Sequence, residues 1–187
     1  MGINSVNRKA VFLDRDGVLN RAVVRDGKPH PPSSLAELVL QPGISEACRD
    51  LHRAGFLLIM VTNQPDVARG TLNREVVEAM NQFLADQLSL DDIKVCYHDN
   101  SDNCQCRKPA PGLLLQAAQQ LDIDLSASFL LGDRWKDVEA GQRAGCKTVF
   151  LDYGYKERRP QYADYLATSV DDAAAWICKT STGIKET

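Results

Sequence analysis

In the stretch AVFLDRDGVLN, residues 10–20, an apolar run ends abruptly in two aspartates that flank one arginine, followed by a glycine. The apolar part predicts a buried strand over Ala10–Asp14. Because strand side chains alternate, Asp14 and Asp16 are expected on the same side of the backbone, where they repel each other unless a cation or a shared proton intervenes. Asp and Gly are also ordinary turn formers, so the stretch alone is equally compatible with a strand followed by a turn.

The bulk composition limits the classes of protein that the chain can represent. With 187 residues, 44% of them hydrophobic, it is long enough for one domain with a full core. We expect a single domain over residues 1–187, with its core at about 9–178 and a frayed tail at 179–187. The net charge of −3 gives no electrostatic case for nucleic acid. No interface pattern is visible in the sequence, which leaves a monomer as the favoured state.

The sequence predicts that the protein is located in the cytoplasm. No apolar run approaches the roughly 18 residues of a membrane span, and residues 1–9 are polar, without the apolar core of a secretion signal. The six cysteines are therefore expected as reduced thiols or metal ligands.

Strand-like and helix-like segments alternate along the chain. This alternation predicts an α/β protein with three layers, in which a doubly wound, mostly parallel, Rossmann-like sheet is covered by helices on both faces. The region 21–38, which is rich in Gly, Pro and charge, is predicted as a long loop. Strands are predicted at 10–14, 56–61, 93–95, 129–131 and 148–151, and helices at 44–54, 73–88, 113–121, 137–144 and 171–177.

Three predicted strands end in polar residues that suit phosphate chemistry. Because the carboxyl ends of parallel strands meet at one edge, these residues are expected close together. Carboxylates can hold Mg²⁺ or attack phosphorus, and hydroxyl, amide and ammonium groups can stabilise a phosphoryl group. Each residue also has an ordinary structural explanation, such as a turn cap, a surface lysine or an acidic first turn of a helix. The residues are Asp14 and Asp16, Thr62-Asn63, Gly132-Asp133 with Asp137, and Lys108.

The order and spacing of these motifs resemble the haloacid dehalogenase superfamily of phosphatases. The resemblance covers about residues 10–152 and implies that Asp14 is the nucleophile and Asp16 the general acid and base. It further implies that Asp14, the backbone carbonyl of Asp16, and Asp133 hold a catalytic Mg²⁺.

The same resemblance implies that hydrogen-bond donors from two other segments of the chain bind the phosphoryl group. Thr62 or Asn63, together with Lys108, is expected to bind it. Asp137 is expected to support the site without contacting the metal.

A compact group of cysteines lies just before Lys108. Three thiols and one imidazole within eleven residues match a closed tetrahedral zinc site with a structural role, in a loop spanning 96–106. The alternatives to a zinc site are free thiols that lie close together by coincidence, or a disulfide between Cys104 and Cys106. The proposed zinc ligands are Cys96, His98, Cys104 and Cys106.

The cysteine loop and the string Cys104-Gln105-Cys106-Arg107-Lys108-Pro109 narrow the resemblance to the histidinol-phosphatase-like group, whose members lack a large cap domain. Substrate contacts are then expected from loops 21–38, 64–72 and 97–109. The predicted contacts are Arg107 at the entrance, Arg134, and, by counterpart with the group, Ala22–Arg25.

The expected substrate is a small phosphorylated compound. A heptose bisphosphate is preferred and histidinol phosphate is the alternative. A non-catalytic zinc-stabilised binding module is a third, more remote possibility.

Overall fold

The computed structural model describes residues 8–183; predicted features on residues 1–7 and 184–187 lie outside this part of the chain. Its strands are β1 (Lys9–Leu13), β2 (Val23–Arg25), β3 (Lys28–His30), β4 (Phe56–Asn63), β5 (Asp92–Cys96), β6 (Phe129–Gly132), β7 (Lys147–Leu151) and β8 (Tyr165–Ala167). Its α-helices are α1 (Ile44–Arg53), α2 (Pro65–Ala68), α3 (Arg74–Leu88), α4 (Gly112–Leu121), α5 (Trp135–Ala144) and α6 (Val170–Ser181). None of the helices found in residues 8–183 is both long and apolar enough to cross a bilayer.

The main sheet has six strands in the order β5-β4-β1-β6-β7-β8. Every neighbouring pair in it is parallel. Counting only these six strands along the chain, the order is 3-2-1-4-5-6, that of the doubly wound Rossmann arrangement. The predicted fold class is confirmed. The strand order reverses between β1 and β6, and the crevice at the carboxyl ends of these two strands is where such sheets bind ligands.

Alternation along β1 divides the core into two layers. Val11 and Leu13 belong to a buried cluster that includes residues of α1 and α6, whereas Ala10 and Phe12 belong to a second cluster with residues of α4 and α5. All four side chains are fully buried. A strand that is buried on both faces needs a continuous run of apolar residues, and this run allows β1 to be predicted from the sequence.

The region predicted as the loop 21–38 contains a β-hairpin, which corrects that prediction for residues 23–30. Strands β2 and β3 pair antiparallel, with Arg25 opposite Lys28. Asp26 and Gly27 both have positive φ, 53° and 77°, as the two-residue turn of such a hairpin requires. The Asp26-Gly27 pair, which is typical of such turns, is the sequence signal from which the hairpin could have been predicted.

Three further elements differ from the sequence-based prediction. Residues 65–68 form the short helix α2, and the edge strand β8 has no predicted counterpart. Helix α6 continues to Ser181, so the prediction of a frayed tail is wrong for residues 179–181. The side chain of Ser169 caps this helix by accepting a hydrogen bond from the Asp172 amide, and Ala173, Ala174 and Ile177 bury its inner face.

Candidate active site

Three carboxylates converge where β1 and β6 end. Asp14 follows β1 and Asp133 follows β6, while Asp137 lies in the first turn of α5. One carboxylate oxygen from each lies within 4.8 Å of the others. Glycine at position 17 lets the Asp133 carboxylate lie close to the backbone after β1, because a side chain there would overlap that carboxylate. The φ of Gly17, 99°, also favours glycine.

Lys108 connects two of these carboxylates. Its Nζ donates to Asp14 Oδ1 at 2.7 Å and to the Val61 carbonyl at 2.8 Å, and it pairs with Asp137 Oδ1 at 2.5 Å. Burial lowers the pKa of the Lys108 ammonium, but the charges of Asp137 and Asp14 outweigh this and raise it above its usual value. Lys108 is therefore a buried, charged site residue that lies beside the predicted nucleophile.

The local environment is unfavourable for so much negative charge. Burial, followed by the charge of Asp137, raises the pKa of Asp14 to about 6 in spite of Lys108. Burial, followed by the charges of Asp14 and Asp137, raises the pKa of Asp133 well above its usual value.

Asp133 is the residue that most clearly lacks a partner. Its side chain is buried, and neither carboxylate oxygen accepts a well-formed hydrogen bond from residues 8–183. The nearby Tyr155 hydroxyl only partly offsets the effect of burial on the Asp133 pKa. A buried carboxylate with two unpaired oxygens, one of them within 4.8 Å of oxygens of Asp14 and Asp137, fits a hard cation such as Mg²⁺.

Asp16 is held by a separate set of donors. Arg15 Nη2 lies 2.9 Å from Asp16 Oδ2, and Asn20 Nδ2 and Gln64 Nε2 donate at 3.1 and 3.0 Å. Arg15 is fully buried, and its Nη1 donates to Asn81 Oδ1 of α3 at 3.0 Å. Gln64 and Asn81 had no predicted role. Gln64 directly follows the Thr62-Asn63 motif, whereas no sequence signal pointed to Asn81.

Thr62 and Asn63, at the end of β4, have different contacts. The Thr62 hydroxyl oxygen accepts from Gln64 Nε2 at 2.9 Å, so its own hydrogen remains available for an anion. Asn63 exchanges two hydrogen bonds of 3.0 Å with the backbone N–H and carbonyl of Lys108. The structure therefore gives Asn63 the geometry of a support for Lys108.

A cavity of about 270 Å³ opens above Asp14, just below the usual size range of ligand pockets. Ala22 lines a different cavity, and Arg25 lines neither of the two, so the structure does not bring these two predicted contacts to Asp14. The hairpin strand β3 lies at the cavity instead. The residues around the cavity include Asp16, Thr62, Asn63, Lys108 and Asp137, the predicted contacts Arg107 and Arg134, and Lys28, His30, Arg69 and Lys136.

The four predicted zinc ligands form a second cluster. Cys106 Sγ lies 3.2 Å from Cys96 Sγ, 3.4 Å from Cys104 Sγ and 3.3 Å from His98 Nδ1. Cys96 Sγ lies 3.7 Å from Cys104 Sγ and 3.6 Å from His98 Nδ1. Ligands about 2.3 Å from a tetrahedral zinc are about 3.8 Å apart, so the arrangement fits a closed site with a small expansion.

The cysteine loop is packed directly against the cavity. The Gly112 amide at the start of α4 donates to the Gln105 carbonyl at 3.0 Å, and a side chain at Gly112 would overlap that carbonyl. Arg107 Nε donates to Asn100 Oδ1 at 2.9 Å and its Nη1 to the His98 carbonyl at 3.2 Å. These contacts of the loop therefore help to fix the position of Arg107.

The fold and the site define a hydrolase of the HAD-like class, and a profile of HAD-hydrolase-like proteins matches residues 105–173. The chain is 40% identical over 154 residues to D-glycero-β-D-manno-heptose-1,7-bisphosphate 7-phosphatase of Yersinia pestis, covering 76% of this chain and 79% of that protein. Identity to the Escherichia coli K12 protein of the same name is 35% over 185 residues, covering 91% and 94%. The chain belongs to this family of heptose bisphosphate phosphatases.

Solved structures agree with this family. The crystal structure of D,D-heptose 1,7-bisphosphate phosphatase from B. bronchiseptica, complexed with magnesium and phosphate, matches with a TM-score of 0.77 and 28% identity. The match covers 92% of this chain and 99% of that one. The predicted superfamily and phosphatase class are confirmed, and the non-catalytic alternative is not supported.

Proposed function

We propose that the protein hydrolyses the 7-phosphate of a heptose 1,7-bisphosphate in a Mg²⁺-dependent reaction. The observation that carries the proposal is the buried contact of 2.7 Å between Lys108 Nζ and Asp14 Oδ1, beside the unpaired carboxylate of Asp133. This arrangement supports a nucleophile, a cation for the phosphoryl group and a metal position at the switch point of the sheet. The names of the relatives favour a heptose bisphosphate over histidinol phosphate.

Two metal ions belong to this proposal. Asp14, the Asp16 carbonyl and Asp133 would hold Mg²⁺, which screens the charge between a carboxylate and a phosphate. Cys96, His98, Cys104 and Cys106 would hold a structural Zn²⁺. The magnesium named with the B. bronchiseptica relative supports the first assignment, and the ligand spacing supports the second.

In the first chemical step, an Asp14 carboxylate oxygen attacks phosphorus and the bond from phosphorus to the sugar oxygen breaks. Asp16, in its protonated form, gives its proton to the departing sugar oxygen. The Thr62 hydroxyl donates to a phosphoryl oxygen, and the positive charge of the Lys108 ammonium offsets the negative charge that accumulates on the phosphoryl group. The product of this step is an aspartyl-phosphate on Asp14.

In the second step, water attacks the phosphorus of the aspartyl-phosphate. Asp16, now a carboxylate, accepts the proton of that water, and inorganic phosphate leaves as Asp14 is regenerated. Asn20 and Gln64 keep Asp16 next to the cavity through bonds of 3.1 and 3.0 Å.

The function is tested by measuring phosphate release with Mg²⁺ from heptose 1,7-bisphosphate and from histidinol phosphate. We expect turnover of the first to be far more efficient, and Asp14→Asn to abolish it while the circular dichroism spectrum stays unchanged. Preference for histidinol phosphate would overturn the substrate, and activity in Asp14→Asn would overturn the nucleophile.

All residues of the proposed site come from one sheet and its connections. This supports a single hydrolase domain, which we propose for the whole chain.

A further inference from the structure

The buried face of helix α3 is apolar except at one position. The exception is Asn81, which is only 3% exposed. Asparagine is a weaker helix former than leucine or alanine, and burying its amide costs free energy unless the amide is hydrogen-bonded. The packing of α3 alone therefore does not explain why residue 81 is polar. The other buried residues of this helix that are apolar are Val77, Met80, Leu84, Ala85 and Leu88.

The contact made by Asn81 is to Arg15, which is fully buried in the turn after β1. Arg15 Nη1 donates to Asn81 Oδ1 at 3.0 Å. The amide nitrogen of Asn81 has no hydrogen-bond partner among residues 8–183, so only the oxygen of this side chain is used. Because a buried guanidinium is costly when its donors are unpaired, the Asn81 oxygen accounts for the polar residue on α3.

The remaining donors of Arg15 hold the Asp16 carboxylate by both of its oxygens. Arg15 Nη2 lies 2.9 Å from Asp16 Oδ2 and 3.1 Å from Oδ1, and Nε lies 3.2 Å from each. A planar fork of this kind fixes the orientation of a carboxylate as well as its position, which a single point charge does not. Asn81 therefore fixes Arg15, and Arg15 fixes Asp16.

This fork keeps the Asp16 side chain apart from the proposed Mg²⁺ position. Within residues 8–183, the carboxylates whose oxygens lie within 4.8 Å of one another are those of Asp14, Asp133 and Asp137, and Asp16 is not among them. The Asp16 side chain is instead 17% exposed and lines the cavity. A carboxylate drawn into that group would become a metal ligand, so its separation leaves Asp16 free to exchange a proton at the cavity.

We propose that Arg15 and Asn81 are positioning residues for the two proton transfers of Asp16. This inference rests on the proposed function, in which Asp16 gives a proton to the departing oxygen as the bond to phosphorus breaks and later accepts one from the attacking water. Neither Arg15 nor Asn81 lines the cavity, so both act on the reaction through Asp16. A displaced Asp16 carboxylate slows both transfers, because proton transfer requires hydrogen-bond reach.

The first transfer is tested by comparing leaving groups that differ in their need for a proton. A sugar oxygen leaves as an alcohol and needs one, whereas p-nitrophenolate is stable as an anion and leaves without one. We therefore compare kcat/KM for heptose 1,7-bisphosphate with kcat/KM for p-nitrophenyl phosphate in the Mg²⁺-loaded protein. In Asn81→Leu we expect the ratio of the first to the second to fall about tenfold, a part of the roughly 100-fold or more that a positioned acid contributes.

Three further variants separate positioning from stability. Asn81→Asp keeps the acceptor oxygen and loses only the unpartnered amide nitrogen, so its ratio should stay within about threefold of the wild type. Val77→Ala removes packing from the same face of α3 one turn earlier, and should lower Tm but leave the ratio within about twofold. Arg15→Lys keeps the charge without the fork and should lower the ratio at least as far as Asn81→Leu, which keeps the test open if Asn81→Leu does not fold.

The second transfer is followed with p-nitrophenyl phosphate alone. Its first step needs no proton from Asp16, whereas water attack on the aspartyl-phosphate still needs the base. In Asn81→Leu we therefore expect a burst of p-nitrophenolate before a lowered steady rate, with kcat reduced and kcat/KM for this compound unchanged.

The outcomes separate this inference from the proposed function. An unchanged ratio in folded Asn81→Leu and Arg15→Lys, or an equal fall in Asn81→Leu and Val77→Ala, would overturn the positioning role while leaving the phosphatase intact. If the wild type hydrolyses only p-nitrophenyl phosphate, the sugar substrate is overturned and the burst alone decides the positioning role. Absence of phosphate release by the wild type from both compounds would overturn the hydrolytic function and this inference with it.

Discussion

Replacing Asp133 by asparagine should stabilise the protein in the absence of Mg²⁺ while abolishing most of the stabilisation that Mg²⁺ provides. The Asp133 carboxylate is buried and both of its oxygens lack a well-formed hydrogen bond. A buried polar group in this state costs about 1–3 kcal/mol, and more when it is charged. Asparagine has nearly the same shape but carries no charge, so it removes the charged part of this cost.

The expected size follows from general relations for chains of this length. A change of 1 kcal/mol shifts Tm by about 2–4 °C, so Asp133→Asn should raise the Tm of the Mg²⁺-free protein by about 2–12 °C. In the wild type, Mg²⁺ at 100 times its Kd should add about 2.7 kcal/mol, or about 5–11 °C. In Asp133→Asn, this Mg²⁺-dependent rise should be less than half as large.

The effect also has a defined dependence on pH. The pKa of Asp133 is raised in the folded protein above its ordinary value of 3.8. Below that ordinary value the carboxyl is protonated in both folded and unfolded chains, so it carries no charge penalty. As pH rises above that ordinary value, the unfolded chain ionises first and the folded protein loses stability. The advantage of Asp133→Asn should therefore grow as pH rises.

The assay is thermal unfolding followed by circular dichroism, after dialysis into Mg²⁺-free buffer without a chelator, so that bound zinc is retained. Asp86→Asn, which makes the same change on an exposed position of α3, is the control and should leave both Tm values within about 1 °C. A lower Tm in Mg²⁺-free Asp133→Asn, or an undiminished response to Mg²⁺, would refute the assignment of Asp133 as an unpaired carboxylate awaiting a cation.

Three further predictions concern the surroundings of the site. Cys104→Ser should reduce bound zinc, measured by elemental analysis, from one equivalent to well below one and lower Tm by several degrees; full zinc content would contradict the four-ligand cluster. Gly17→Ala should lower phosphate release at least 100-fold because the new methyl group displaces the Asp133 carboxylate, and near-normal rates would show that the overlap is relieved cheaply. Asn63→Ala removes two hydrogen bonds to the Lys108 backbone, a loss of about 1–3 kcal/mol, and should lower kcat about tenfold; a change in KM alone would instead make Asn63 a substrate contact.

The parts of the structure that sequence predicts well are those in which local pattern and tertiary environment agree. The β1 run is apolar because it is buried on both sides, and the motif residues follow strands whose carboxyl ends share one edge. The convergence of Asp14 and Asp133 could therefore be expected from a parallel sheet, whereas the role of Lys108 was predicted from the resemblance. The cysteine cluster was equally accessible, since its ligands lie within eleven residues of one another.

The contacts that sequence does not predict join distant segments without a local pattern. The bond from Arg15 to Asn81 depends on how α3 packs, and the support of Lys108 by Asn63 depends on a reciprocal pair of bonds 45 residues apart. The hairpin was missed for another reason: its Asp26-Gly27 turn is a recognisable signal, but the flanking strands are only three residues long. The predicted contacts Ala22 and Arg25 were inferred only by counterpart with the resembling group, and neither residue lines the cavity at Asp14.

The position of strand β3 at the cavity has a consequence for how the substrate range of this protein can change. The groups proposed to perform the chemistry follow β1, β4, β6 and the cysteine loop, whereas strand β3 lines the cavity with residues that contribute none of them. Exchange of residues 23–30 for a hairpin of another sequence, with glycine retained at position 27, can therefore alter the compounds admitted while the reaction itself is preserved. The hairpin is a natural place both for divergence between related enzymes and for deliberate redesign.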